Sequence, residues 1–86
     1  MKINFSKVFG KQYKKLYLKD QKKVDKIINT FIKNPFDKSL NNHHLKWKLK
    51  WKNSISYWFD WRIIFKEKDN YVEVLFISVW THNQVY

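Results

Sequence analysis

The sequence predicts an α+β fold, with an N-terminal helical hairpin packed on a twisted antiparallel β-sheet. Three observations predict it. Over the first 33 residues apolar side chains recur at intervals of three and four, the period of a buried helical stripe. From Leu45 onward the pattern changes to alternating runs rich in aromatic and β-branched residues, which suit a half-buried pleated surface. The last such run, Val72 to Val79, is almost continuously apolar and fits an interior strand. Helices first and strands afterwards place the chain in the α+β class.

Taken in order, Lys2-Ile-Asn-Phe5 alternates as a short edge strand, and Ser6 is positioned to cap a first helix ending near Leu16. Val8, Phe9, Tyr13 and Leu16 fall on one face of that helix. Asp20 is expected to cap a second helix to about Lys33, with Val24, Ile27, Ile28, Phe31 and Ile32 as its buried stripe. Asn34-Pro35 ends it, because a residue before proline avoids the α region. Residues 36–42 read as a polar connection. Strands are predicted over 46–52, 53–59, 61–67 and 71–79, with Lys68-Asp69-Asn70 as a hairpin turn. The stretch from Asn53 to Phe65 is the expected centre of the sheet. It carries Asp60 and Arg62, two residues apart and so on one face of a strand.

At 86 residues the chain is one small domain, residues 1–86, and 44% hydrophobic residues are enough for a core. There is no cysteine, which excludes disulfides, zinc–thiolate centres and thiol nucleophiles, and points to a cytoplasmic protein. No apolar run approaches the ~18 residues of a membrane span, so no membrane partner is expected. The N-terminal residues carry charge where a signal peptide needs an apolar block, and the chain reads as starting at Met1. The formal net charge is +11, from 18 Lys and Arg against 7 Asp and Glu. Such an excess repels itself on a small domain and points to a polyanionic or acidic partner. Arg62 is the one arginine; the plainer reading is a proteome that uses lysine as its default surface residue.

The best purely physical site signal is the alternation of Lys46, Lys48, Lys50 and Lys52, which a strand would present on one face, toward phosphates. The helical lysines Lys7, Lys11, Lys14, Lys15, Lys22, Lys23 and Lys26 read individually as a solvated face, and as a group as guidance toward RNA. The three histidines, His43, His44 and His82, lie in segments flanking the sheet. Each feature has a duller explanation: surface histidines in a polar loop, a structural Asp60–Arg62 ion pair, and a Tyr86 that merely packs against a helix.

Several short stretches, in order and register over nearly the whole chain, carry a family resemblance. They are Phe9-Gly-Lys-Gln-Tyr-Lys-Lys-Leu16, Asn34-Pro-Phe36, Asn42-His-His-Leu-Lys46, Ser54-Ile55, Asp60-Trp-Arg62 and Thr81-His-Asn-Gln-Val-Tyr86. Together they resemble the YafQ-like branch of the RelE/ParE toxin superfamily. The resemblance implies a RelE/ParE-like fold and a type II toxin that cleaves mRNA in the ribosomal A site, in contact with ribosomal RNA. It also implies silencing by a cognate antitoxin, expected to be acidic. No cofactor or metal is implied.

Family positions match His43, Asp60, His82 and Tyr86; where some members have a further histidine this chain has Ser56. Cutting RNA without a metal requires activating a 2′-hydroxyl, protonating the leaving 5′-oxygen and stabilising charge on the phosphate. Histidine suits the proton transfers, and an arginine fork suits phosphate oxygens. The expected roles are His82 as general acid or base, His43 as its complement, and Arg62, Lys46, Lys48 and Lys50 on phosphate. Asp60 would orient a histidine or Arg62, and Tyr86 would stack on a base or position the scissile group. The rivals are a ParE-like toxin that inhibits gyrase on the same fold, and a non-catalytic RNA-binding module.

Five tryptophans and one glycine make an odd count, since about 7% glycine would give roughly six. Trp47, Trp51 and Trp80 fall where similar sequences have glycine, and Trp58 is a candidate fourth, while Trp61 suits its place. Glycine serves such sites through positive φ and close approach to phosphate. The favoured reading is that the gene uses UGA for glycine and these tryptophans are glycines in the native product. The alternative is genuine tryptophans that stack on bases. Sequencing the gene decides it: UGA codons are expected at 47, 51 and 80, and UGG codons there overturn the reading.

Overall fold

In the computed structural model, residues 1–44, 52–57 and 61–81 are described, with the backbone alone at His44, Tyr57 and Thr81. The chain runs through β1 (Lys2–Phe5), α1 (Lys7–Lys14), α2 (Leu18–Lys33), a 3-10 turn (Lys38–Leu40), β2 (His43–His44), β3 (Asn53–Tyr57), β4 (Trp61–Lys68) and β5 (Glu73–Thr81). The sheet order is β1-β5-β4-β3-β2. From β2 to β5 each neighbouring pair is antiparallel, whereas β1 lies parallel to β5. The α+β class and the helical hairpin hold, and the sheet is mixed at one edge. No tight turn joins β1 to β5, so nothing imposes antiparallel pairing there.

Ser6 caps α1 as its sequence position predicts. Its Oγ accepts from the Phe9 N–H at 3.0 Å and donates to the Ile77 carbonyl, and its own N–H donates to the Phe76 carbonyl at 2.9 Å. One turn later Gln12 accepts the Val79 N–H at 2.8 Å through its side-chain oxygen. The helix thereby satisfies the edge of β5 beyond the reach of β1. The second helix begins earlier than expected, at Leu18, with Tyr17 as an N-cap that makes no side-chain hydrogen bond. Asp20 is in the first turn, where a carboxylate complements the helix dipole. The helices are tied by Gln21, whose amide donates to the Tyr13 carbonyl at 3.0 Å, and by the Tyr13 hydroxyl, which donates to Asp25 at 2.8 Å. That hydrogen bond to the carboxylate raises the Tyr13 phenol above its ordinary range.

One face of the sheet takes the core. Ile55, Ile63, Phe65, Val74, Phe76 and Val79 meet Val24, Ile27 and Phe31 of α2 and Phe9 of α1. The Phe31 ring stands edge-on to Phe65 at 4.9 Å and to Phe76 at 5.2 Å between centroids. Trp61 is buried in the same cluster, as its reading as a true aromatic requires. Two expected core residues are not in it: Val8 is 54% exposed and Ile32 45%. Each lies about 100° around the helix from its buried neighbour, Phe9 or Phe31, and so falls off the buried stripe.

The last strand is interior, as its apolar run predicts, but its phase is not continuous. A register shift at Ile64/Phe65 sets Phe65 opposite Phe76 and Ile64 opposite Ser78, so Ile77 is the extra residue of a bulge. Phe76 and Val79, three apart, therefore share the core face. The preceding turn falls one residue later than expected. Asp69, Asn70 and Tyr71 take positive φ of 55°, 57° and 69°, and β5 starts at Glu73 rather than 71. A bulky residue rarely adopts such a φ; the Glu67 carboxylate holds Tyr71 there by accepting its N–H at 2.8 Å. The strand predicted over 46–52 lies outside the described residues except Lys52. No helix among the described residues is long and apolar enough to cross a membrane.

Ser6→Ala removes both the cap and the bond to Ile77, and is expected to cost about 1–2 kcal/mol. Thermal denaturation followed by circular dichroism would show it as a drop of roughly 4–8 °C per kcal/mol. An unchanged Tm would mean that neither bond contributes.

Candidate functional site

The helices cover one face of the sheet, and the alternation of strand side chains sets a second group on the face turned away from them. Ile55, Ile63 and Val79 pair across the sheet on the helical side. Their neighbours form two rows on the distal face. One runs His43, Ser54, Ile64, Ser78; the next holds Ser56, Arg62 and Trp80. By strand spacing, His43 and Arg62 stand about 12 Å apart at the backbone. Both are exposed.

His43 is held locally. Its Nδ1 lies 2.9 Å from the Asn41 carbonyl oxygen. Asn41 is left-handed, with φ 46° and ψ 51°, and closes the 3-10 turn. Its side-chain amide donates to the Ser56 hydroxyl at 3.2 Å. The next residue, Asn42, donates to the Pro35 carbonyl at 3.0 Å and to the Tyr71 hydroxyl at 3.1 Å, and Asn53 also donates to that hydroxyl, at 3.3 Å. Phe36 stands edge-on to the Tyr71 ring at 5.1 Å. The strained Tyr71 is thus the post against which the segment before β2 is fastened.

No family model and no curated protein sequence matches this chain. Solved structures do match. YafQ from Escherichia coli BL21(DE3) is 23% identical, with 98% of this chain and 96% of that one covered, at a TM-score of 0.77. The chain has the YafQ fold. A copper-bound mutant toxin from Helicobacter pylori is 26% identical over 100% of this chain and 99% of its own, at a TM-score of 0.71. The toxin–antitoxin complex RelBE2 from Mycobacterium tuberculosis matches at 13% identity over 94% and 96%, at a TM-score of 0.66. The resemblance carried by the short sequence stretches is therefore borne out at the level of fold, and from end to end.

On this YafQ-type sheet the predicted site residues divide into two groups. His43 and Arg62 are described, and they share the distal face. Asp60, His82, Tyr86, Lys46, Lys48 and Lys50 lie outside the described residues, as do Trp47, Trp51 and Trp58. With Asp60 goes the expected Asp60–Arg62 pair. His43 stands on a strand rather than in a polar loop, because the Asn41 turn delivers it to the edge of β3. Trp80 lies within β5. Its φ is not positive, so the left-handed region is not what would call for glycine here.

Sequence reasoning missed Asn41, Asn42 and Tyr71 as the supports of His43. A signal existed in Leu40-Asn-Asn-His43, since asparagine is among the few residues that enter the left-handed region readily. Ser54 was not singled out by its chemistry either. It lies beside His43 in the distal row, yet is fully buried, and its Oγ has no hydrogen-bond partner among the described residues. An unpartnered buried hydroxyl costs about 1–3 kcal/mol. Ser54→Ala is therefore expected to leave Tm unchanged or raise it, measured by differential scanning fluorimetry; a clear drop would mean that this hydroxyl has a stabilising partner.

Proposed function

We propose that this protein is the toxin of a type II toxin–antitoxin pair and acts as a metal-independent endoribonuclease on mRNA in the ribosomal A site. The observation that carries the reading is the placement of His43 and Arg62 on the same exposed face of a YafQ-type sheet, in a chain of net charge +11. A proton carrier and a fixed cation on one surface are what attack by a 2′-hydroxyl on its own phosphate requires.

In that reaction the 2′-oxygen loses its proton to a base and bonds to phosphorus. The bond from phosphorus to the 5′-oxygen breaks, and that oxygen takes a proton from an acid. The products are a 2′,3′-cyclic phosphate and a 5′-hydroxyl. His82 and His43 are assigned the two proton transfers. Arg62, with Lys46, Lys48 and Lys50, neutralises the phosphate; Asp60 orients an imidazole or Arg62, and Tyr86 stacks on a base. Ribosomal RNA and mRNA supply the polyanion that the charge excess needs, and a cytoplasmic site of action follows from that target.

The partner that silences such a toxin would be a cognate acidic antitoxin. Charge complementarity favours it. So does a largely apolar groove beside α1, lined by Phe5, Phe9, Gly10, Tyr13 and Ile28 together with Lys14 and Asp25. The M. tuberculosis structure, which shares the fold, is itself a toxin–antitoxin complex.

The decisive comparison maps mRNA 5′ ends in a translating extract containing the protein or its His82→Ala variant. New in-frame cuts that disappear in the variant are expected. Growth arrest with intact mRNA and damaged DNA would instead favour a gyrase-directed toxin on the same fold, and arrest independent of His82 a non-catalytic RNA binder.

A further inference from the structure

We infer that Asn41 is a positioning residue for His43, and that proton transfer to or from RNA at His43 passes through Nε2. The inference rests on the nuclease reading and assigns an atom within it. A carbonyl oxygen can only accept, so the 2.9 Å contact from the Asn41 carbonyl requires the proton on Nδ1. The neutral ring then carries its lone pair on Nε2, and the charged ring carries its exchangeable proton there. Either way Nδ1 is occupied with the backbone, and Nε2 is the working nitrogen.

The carbonyl reaches Nδ1 because Asn41 is left-handed, at φ 46° and ψ 51°. An ordinary residue is disfavoured in that region, whereas asparagine and glycine tolerate it. Two further contacts keep the turn in place. The Asn41 amide is bonded to Ser56 on β3, and Asn42 is bonded to Pro35 and Tyr71. Ser56, the position where similar toxins can carry another histidine, here receives the amide that anchors this turn. Among the described residues the ring is therefore held from a neighbouring backbone group, whose position follows from the conformation of Asn41.

The test reads the His43 tautomer directly, by long-range 1H–15N correlation on the full chain labelled with 15N-histidine, alongside mRNA cleavage. In the native protein the neutral His43 ring is expected to be protonated at Nδ1. Asn41→Gly keeps the left-handed turn and loses only the amide to Ser56; it should keep the tautomer and most of the cleavage. Asn41→Val cannot hold the turn without strain; it should lose the tautomer preference and cut roughly 10- to 100-fold more slowly. Its melting temperature, measured in parallel, separates misorientation from unfolding. A native protein that cuts mRNA with His43 protonated at Nε2 overturns the Asn41 assignment, as does a folded Asn41→Val protein that cuts at the native rate. A native protein that leaves mRNA intact overturns the nuclease reading itself, whatever the tautomer.

Discussion

An interior strand must satisfy its backbone on both edges, and β5 is the strand on which this requirement falls hardest. β4 pairs with it along its whole length, but β1 pairs only from Glu73 to Phe76. Beyond that point the Ile77 carbonyl and the Val79 N–H need partners, because leaving such groups buried and unpaired is costly. Ser6 and Gln12, the cap and second turn of α1, provide them. The first helix is thus docked by hydrogen bonds to the sheet as well as by apolar contact. Its placement steadies the strand that leads to the C-terminal segment.

The bulge in β5 has a similar reach. A strand that kept strict alternation could not bury both Phe76 and Val79, since three residues apart means opposite faces. The extra residue at Ile77 resets the phase, so Val79 enters the core and Trp80 pairs with the exposed Arg62. The distal surface that holds His43, Ser56 and Arg62 is consequently continuous with the end of β5.

A second fastening lies at the opposite edge. β2 has only two residues and cannot fix its own position. It depends on Asn42 and the left-handed Asn41 just before it, and on the Tyr71 hydroxyl from a distant part of the chain. The strain at Tyr71, with φ of 69°, is offset by the Glu67 carboxylate and by packing against Phe31, Phe36 and Phe65. Local strain of this kind persists only where surrounding contacts over-determine it.

Much of this was legible in the residues alone. The helical stripes of Val8–Leu16 and Val24–Ile32, apart from the exposed Val8 and Ile32, the Ser6 cap, the break at Pro35 and the apolar run of β5 all arise from local periodicity and capping chemistry, which a sequence displays directly. The fold class followed from them; the YafQ-like resemblance rested instead on short stretches such as Asn42-His-His-Leu-Lys46 and Asp60-Trp-Arg62, and through them came the choice of His43, with Arg62 added for its phosphate-binding chemistry. What the tertiary structure decided was the parallel pairing of β1, the bulge at Ile77, and the left-handed turn that delivers His43 to the edge of β3. Each of these depends on a partner far along the chain: Phe76 for Ser6, Val79 for Gln12, Ser56 for Asn41, Tyr71 for Asn42. A sequence states which hydrogen-bonding groups exist; only the folded backbone determines which of them meet.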